Sequence, residues 1–212
     1  MPLKFVKKIN KQSSWALWEI EEEIGNFLLT VDLRKEEKST YDLISNHYKK
    51  LEWLATRAIA GQMLESMDLP YNGIYKDEHG KPHLNGAIGQ ISVTHSFPYV
   101  AVIFHYTEAV GIDLEKPRDK ILKIAKKFLN VVEQAFSRLD VVKTTILWSV
   151  KESLYKLHGR KFVVFSENLE AKPFQLEKEG LIQGLIKIDS NIDEINLQYI
   201  CYEDFVITYT IR

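Results

Sequence analysis

Residues 109–117 read AVGIDLEKP. Val110, Gly111 and Ile112 form an apolar lead-in, and Asp113 and Glu115 follow with Leu114 between them. Apolar runs of this kind form strands that enter a core. Successive strand side chains point to opposite faces, so Asp113 and Glu115 share a face, about 6.6 Å apart along the chain. Two hard oxygen donors so placed can share a divalent cation such as Mg²⁺, which keeps several waters and takes few protein ligands. A strand end emerging into water would carry the same two acids.

Outward from this stretch the chain alternates between helical and β-like sequence. Upstream, ISVTHS (91–96) and YVAVIFHY (99–106) read as strands, and residues 106–108 read as the turn of a hairpin joining YVAVIFHY to AVGIDLE. SSWALWEIEEE (13–23) reads as an early strand with Trp15, Leu17 and Glu19 on one side. Between them, Leu51, Leu54, Ala55, Ala58 and Ile59 recur at helical spacing over 48–66, before Pro70, Asn72 and Gly73. DEHGKPHLNGAIG (77–89) is turn-rich. Downstream, 119–129 is a basic amphipathic helix, and Asn130 with Glu133 makes a capping box for the next. A longer helix spans about 142–157, closed by Gly159. KFVVF (161–165), GLIQGLIKI (180–188), INLQYICY (195–202) and DFVITYTIR (204–212) are β-like. Each half carries helices followed by strands, so the expected fold is α+β, in two similar subdomains, 1–106 and 107–212.

Bulk properties narrow the function classes. The 212 residues are 45% hydrophobic, with 4 Trp, 10 Tyr and 10 Phe, which excludes a disordered chain. A net charge of −1 supplies no field for nucleic acid. There is no apolar run long enough to cross a membrane, and MPLKFVKKINKQSSW (1–15) lacks a secretory apolar region. The single Cys201 excludes an internal disulfide and a multi-cysteine metal site. The expectation is a soluble cytoplasmic protein.

Two further clusters carry chemistry. In LWSVKESLYKLHG (147–159), Lys151, Glu152, Tyr155 and Lys156 fall within about one and a half helical turns. Glu152 and Lys156 alone would make an exposed ion pair worth about 0.3–0.5 kcal/mol. With Asp113 and Glu115, Glu152 becomes a third carboxylate at a metal, and Lys151 and Lys156 become phosphate partners. In GKPHL (80–84) and ISVTHS, Lys81 sits in a turn where it can meet an anion, and Thr94 and His95 sit at a strand end. His95 can donate to a phosphate or be satisfied within the fold.

The order Gly-Lys-Pro, Thr-His-Ser, Gly-Ile-Asp-Leu-Glu, then Trp-Ser-Val-Lys-Glu-Ser-Leu-Tyr-Lys, with Asp113 and Glu152 39 residues apart, resembles the 4′-phosphopantetheinyl transferase superfamily. The resemblance is to its long, surfactin-synthetase-activating type and covers about 53–165. It implies a monomeric pseudodimer of two α+β subdomains with the active site in the cleft between them. It also implies an enzyme, a holo-carrier-protein synthase. Such an enzyme moves the phosphopantetheine arm of coenzyme A to a serine of an apo acyl or peptidyl carrier protein and releases 3′,5′-adenosine bisphosphate. By the same resemblance Asp113, Glu115 and Glu152 would hold Mg²⁺ or Mn²⁺, and Glu152 would also act as base. Lys156, with Lys151 nearby, would meet the pyrophosphate. Lys81, Thr94, His95 and Arg57 would hold the nucleotide end, His95 at the 3′-phosphate. The family's Gly-Lys-Gly after the helix is replaced here by Gly159-Arg160-Lys161.

Lys116, Arg118, Lys120, Lys123, Lys126 and Lys127 crowd the segment after the acidic strand. Such a segment can steer an acidic carrier, or be an ordinary solvated face. Two other readings stand beside the transferase: a non-catalytic descendant that binds a nucleotide or carrier, and a Mg²⁺-dependent nuclease or phosphatase.

Overall fold

The computed structural model describes residues 3–86, 89–159 and 162–212. It divides into two compact units, Met1–Glu108 and Ala109–Arg212; the sequence expectation placed the division after 106. Residues 87, 88, 160 and 161 lie outside the described residues, and with them the Arg160-Lys161 departure.

The first unit opens with β1 (Leu3–Lys8) and β2 (Ser13–Glu19), continues through α1 (Ile24–Thr30), α2 (Lys35–Asp42) and α3 (His47–Glu65), and returns in β3 (Ile74–Lys76), β4 (Pro82–Leu84), β5 (Gln90–Ser96) and β6 (Tyr99–His105). Its main sheet has the order β1-β2-β6-β5, and β3 with β4 forms a separate hairpin. The helix α3 starts where Asn46 accepts the backbone N–H of Lys49 at 3.0 Å, a side-chain cap. Its apolar stripe, with Leu54, Ile59 and Leu64, packs in one core with Trp18, Phe27, Val100, Val102 and Phe104. The turn-rich stretch at 77–89 is thus partly strand, since β4 lies inside it.

The second unit opens with β7 (Val110–Glu115), passes through α4 (Lys120–Phe128), α5 (Val131–Ser137), α6 (Val141–His158) and the short α7 (Phe165–Asn168), and returns in β8 (Leu169–Ala171), β9 (Glu179–Ile188), β10 (Asn191–Cys201) and β11 (Val206–Ile211). The sheet order is β7-β11-β10-β9-β8. Asn130 and Glu133 form the expected capping box. Gly159 closes α6 in the left-handed region (φ 70°), and its N–H donates to the carbonyl of Tyr155. In both units a strand leads through a run of helices to further strands, the last of which pairs antiparallel with it: β2 with β6, and β7 with β11.

Two local expectations fail. YVAVIFHY and AVGIDLE are not a hairpin. Both edges of β6 are taken, by β2 and β5, so β7 pairs instead with β11. KFVVF does not form a strand over its described residues. The Asn168 side chain accepts the Val164 N–H and its own N–H returns to the Val164 carbonyl, both at 2.7 Å, closing a helical turn from Phe165.

Candidate active site

The acidic strand lies under the long helix of its own unit. A Cβ on Gly111 would stand 2.1 Å from the backbone carbonyl oxygen of Ser153, so only glycine lets α6 settle this close. Gly111, Asp113 and Glu115 share one face of β7, and that face is turned to α6. The contact is completed by Ser153, whose hydroxyl meets the Thr208 hydroxyl at 2.6 Å, and by Ser149, which meets the same hydroxyl at 3.0 Å. Thr208 stands opposite Asp113 in the β7–β11 register.

Trp148, Glu152 and Lys156 are spaced i, i+4, i+8, so they form one stripe along α6. At one end the Lys156 ammonium donates to Asp113 Oδ1 at 2.7 Å and to the Ile112 carbonyl at 3.0 Å. At the other, Trp148 Nε1 donates to Glu115 Oε1 at 3.1 Å. Glu152 occupies the middle of the stripe. Burial pushes the Glu152 carboxyl up to about 7, and the Asp113 and Glu115 charges add to the rise against the opposing Lys156 ammonium. Burial and the Asp113 charge also raise Glu115, against the Trp148 hydrogen bond and the Lys156 and Lys120 charges. The three acids and Lys156 therefore form one electrostatic cluster. Trp148 has a place in it that its spacing from Glu152 alone could have revealed.

The donor set suits a hard divalent cation in chemistry: three carboxylates, Asp113 buried and Glu115 and Glu152 half-buried, whose mutual repulsion a cation would relieve. As they stand, no three His, Cys, Asp or Glu side chains among the described residues are grouped to enclose an ion. One oxygen of Asp113 serves Lys156 and one of Glu115 serves Trp148. A carboxylate offers about four acceptor sites, so these bonds leave it capacity for a metal.

The other candidates are placed differently. Lys151 turns away from the cluster. It is fully buried, and its ammonium meets Glu133 Oε2 and the carbonyls of Phe128, Phe165 and Leu169 at 2.7, 2.7, 2.9 and 2.7 Å. In this arrangement four acceptors meet its three donors, where the sequence reading places it beside a phosphate. Arg57 is also buried. Its Nε donates to Glu37 at 3.1 Å, its Nη1 donates to the Trp53 carbonyl at 3.3 Å, and its guanidinium lies 3.4 Å from the Trp53 ring centroid. The sequence reading places it at the nucleotide end.

Thr94 and His95 are adjacent on β5 and face opposite ways, Thr94 inward and His95 52% exposed beside Glu52 at 3.1 Å. They cannot present both side chains to one phosphate from the same face. Lys81 is half-buried at the β3–β4 turn, where the Asp77 carboxylate accepts its backbone N–H at 2.9 Å. Arg118, Lys120, Lys123, Lys126 and Lys127 are exposed, and Lys116 is half-buried. No helix is long and apolar enough to cross a membrane among the described residues.

No curated protein matches the chain. Its second unit does find a counterpart: residues 109–210, which hold Asp113, Glu115, Trp148, Glu152 and Lys156, match the model of the 4′-phosphopantetheinyl transferase superfamily, and phosphopantetheine transfer is the general activity that this similarity indicates.

Proposed function

We propose that this chain transfers the 4′-phosphopantetheine arm of coenzyme A to a serine of an apo acyl or peptidyl carrier protein, as a cytoplasmic, monomeric enzyme of the long class. The observation that carries the reading is the Trp148–Glu152–Lys156 stripe over Asp113 and Glu115, inside the matched segment. The repeated order of a strand, a run of helices and a last strand that pairs antiparallel with the first supports the long class and its pseudodimer.

In the reaction the serine oxygen attacks the phosphorus that bears the pantetheine. The bond from that phosphorus to the pyrophosphate bridging oxygen breaks, and 3′,5′-adenosine bisphosphate leaves. Glu152 accepts the serine proton, directly or through a water. Lys156, already fixed by Asp113 and the Ile112 carbonyl, presents a compact positive charge to the pyrophosphate. Asp113, Glu115 and Glu152 would hold a divalent cation, Mg²⁺ or Mn²⁺, which supplies charge neutralisation at the phosphate oxygens. Lys81 and His95 are the first-unit side chains proposed for the coenzyme's phosphates. Thr94, Arg57 and Lys151 are left out of this proposal: Thr94 faces inward, Arg57 is held by Glu37 and Trp53, and Lys151 by Glu133 and three carbonyls. The exposed lysines of α4 are proposed to receive the acidic surface of the carrier.

The test is intact-mass measurement of a panel of apo carriers after incubation with the chain, coenzyme A and Mg²⁺. One phosphopantetheine mass should be gained by at least one carrier, and none with Glu152→Gln. No gain on any carrier refutes the reading.

A further inference from the structure

Two buried ion pairs occupy the same station in the two units. In the first, Glu37 is the third residue of α2. Its carboxylate accepts the Arg34 N–H (3.3 Å), Arg57 Nε (3.1 Å), the Tyr71 hydroxyl (3.0 Å) and the Ile74 N–H at the start of β3 (3.0 Å). In the second, Glu133 is the third residue of α5. Its carboxylate accepts the Asn130 N–H (2.8 Å), Lys151 Nζ (2.7 Å) and the Ala171 N–H of β8 (2.8 Å). In both cases the cation is the eleventh residue of the long helix, α3 or α6. The catalytic candidates are not repeated: Arg57 is followed by Ala58 and, five positions on, by Gln62, where Lys151 is followed by Glu152 and Lys156. A unit without the acids has the same clamp, so the clamp serves the seating of the helix.

In the second unit that seating is tied to the acidic cluster. The Phe128 and Phe165 carbonyls receive Lys151, while the rings of the same two residues pack on Trp148 at 4.9 and 5.4 Å. Trp148 in turn holds Glu115. Lys151 and Glu152 are neighbours about 100° apart around the helix, so a rotation that released one would displace the other. We propose that Glu133 and Lys151 are positioning residues, which set the seat of α6 against α4, α7 and β8 so that Glu152 and Lys156 stand over Asp113 and Glu115. The kinetic part of this inference rests on the transferase reading above.

The test uses the full chain carrying Lys151→Met, Glu133→Gln or both. Removing one partner strands a buried charge, whereas removing both does not, so the double variant is the one expected to fold. Its kcat should fall about tenfold or more, because misplacement of about 1 Å is enough to cost that. Its KM for coenzyme A should stay within about twofold, since Lys151 holds no phosphate. Hydrogen exchange should quicken at Ala171 and along 148–157. A KM raised about tenfold at unchanged kcat would make Lys151 a phosphate ligand and overturn the proposal. Wild-type kcat would overturn it too, as would unchanged exchange. If the wild-type chain modifies no carrier, the transferase reading falls, and exchange in α6 alone decides the clamp. Lys151→Arg, which keeps a charge opposite Glu133 but not the length or shape of the ammonium, carries the same measurements if the double variant does not fold.

Discussion

Replacing Glu152 by Gln should stabilise the metal-free protein while removing its activity. The folded protein holds the Glu152 carboxyl at about 7 against an ordinary 4.5, through burial and the charges of Asp113 and Glu115. Each unit of such a rise corresponds to about 1.4 kcal/mol, so the whole rise is at most about 3.5 kcal/mol of repulsion and desolvation carried by the ionised form. Glu152 is partly open to water, and screening and relaxation reduce the expected gain to about 1–2 kcal/mol. The pH dependence has a definite sign. A raised pKa means that the folded state binds protons more tightly than the unfolded state. The cost is therefore absent below the unfolded value near 4.5, grows across the interval, and is complete above about 7. Urea unfolding in chelator should show Glu152→Gln above wild type at about pH 8, and the gap should close as the pH falls to about 4. Equal or lower stability of the variant at about pH 8 would mean that Glu152 is not pressed against the other two acids, and the cluster would lose its physical basis.

Gly111→Ala should cost about 3 kcal/mol or more and abolish transfer, because the new methyl meets the Ser153 carbonyl oxygen at 2.1 Å; near-wild-type unfolding would contradict the close packing of α6 on β7. Arg57→Met should lower stability by about 3–5 kcal/mol by leaving Glu37 buried without its cation, and an unchanged urea midpoint would return Arg57 to the candidates for ligand binding. Lys123→Glu with Lys126→Glu should raise KM for an acidic carrier about tenfold and leave KM for coenzyme A unchanged; equal effects on both would remove α4 from the docking surface.

The elements that position the site were legible because their signals are local. The helical spacing of 48–66 and 142–157 anticipated α3 and α6 closely, and Asn130 with Glu133 announced the start of α5. The alternation that put Asp113 and Glu115 on one face, and the i, i+4 step from Glu152 to Lys156, follow from strand and helix geometry alone. The partner of β7 was not legible. Pairing with β11 joins residues nearly a hundred positions apart, whereas a short turn made the neighbouring β6 the obvious choice. Nor could the sequence sort its cations. Lys151 and Lys156 lie on the same helix in the same motif, and Arg57 lies on a helix of the same kind.

What the sequence determined was the set of strands and helices and the acids and bases brought along on them, since periodicity and capping act over a few residues. What only the tertiary structure decided was which of those charges face water. Glu133 and the carbonyls of Phe128, Phe165 and Leu169 enclose Lys151, while Asp113 holds Lys156 at a partly open edge. Burial of a charge depends on what distant segments fold over it, and that information is not present in any local stretch of the chain.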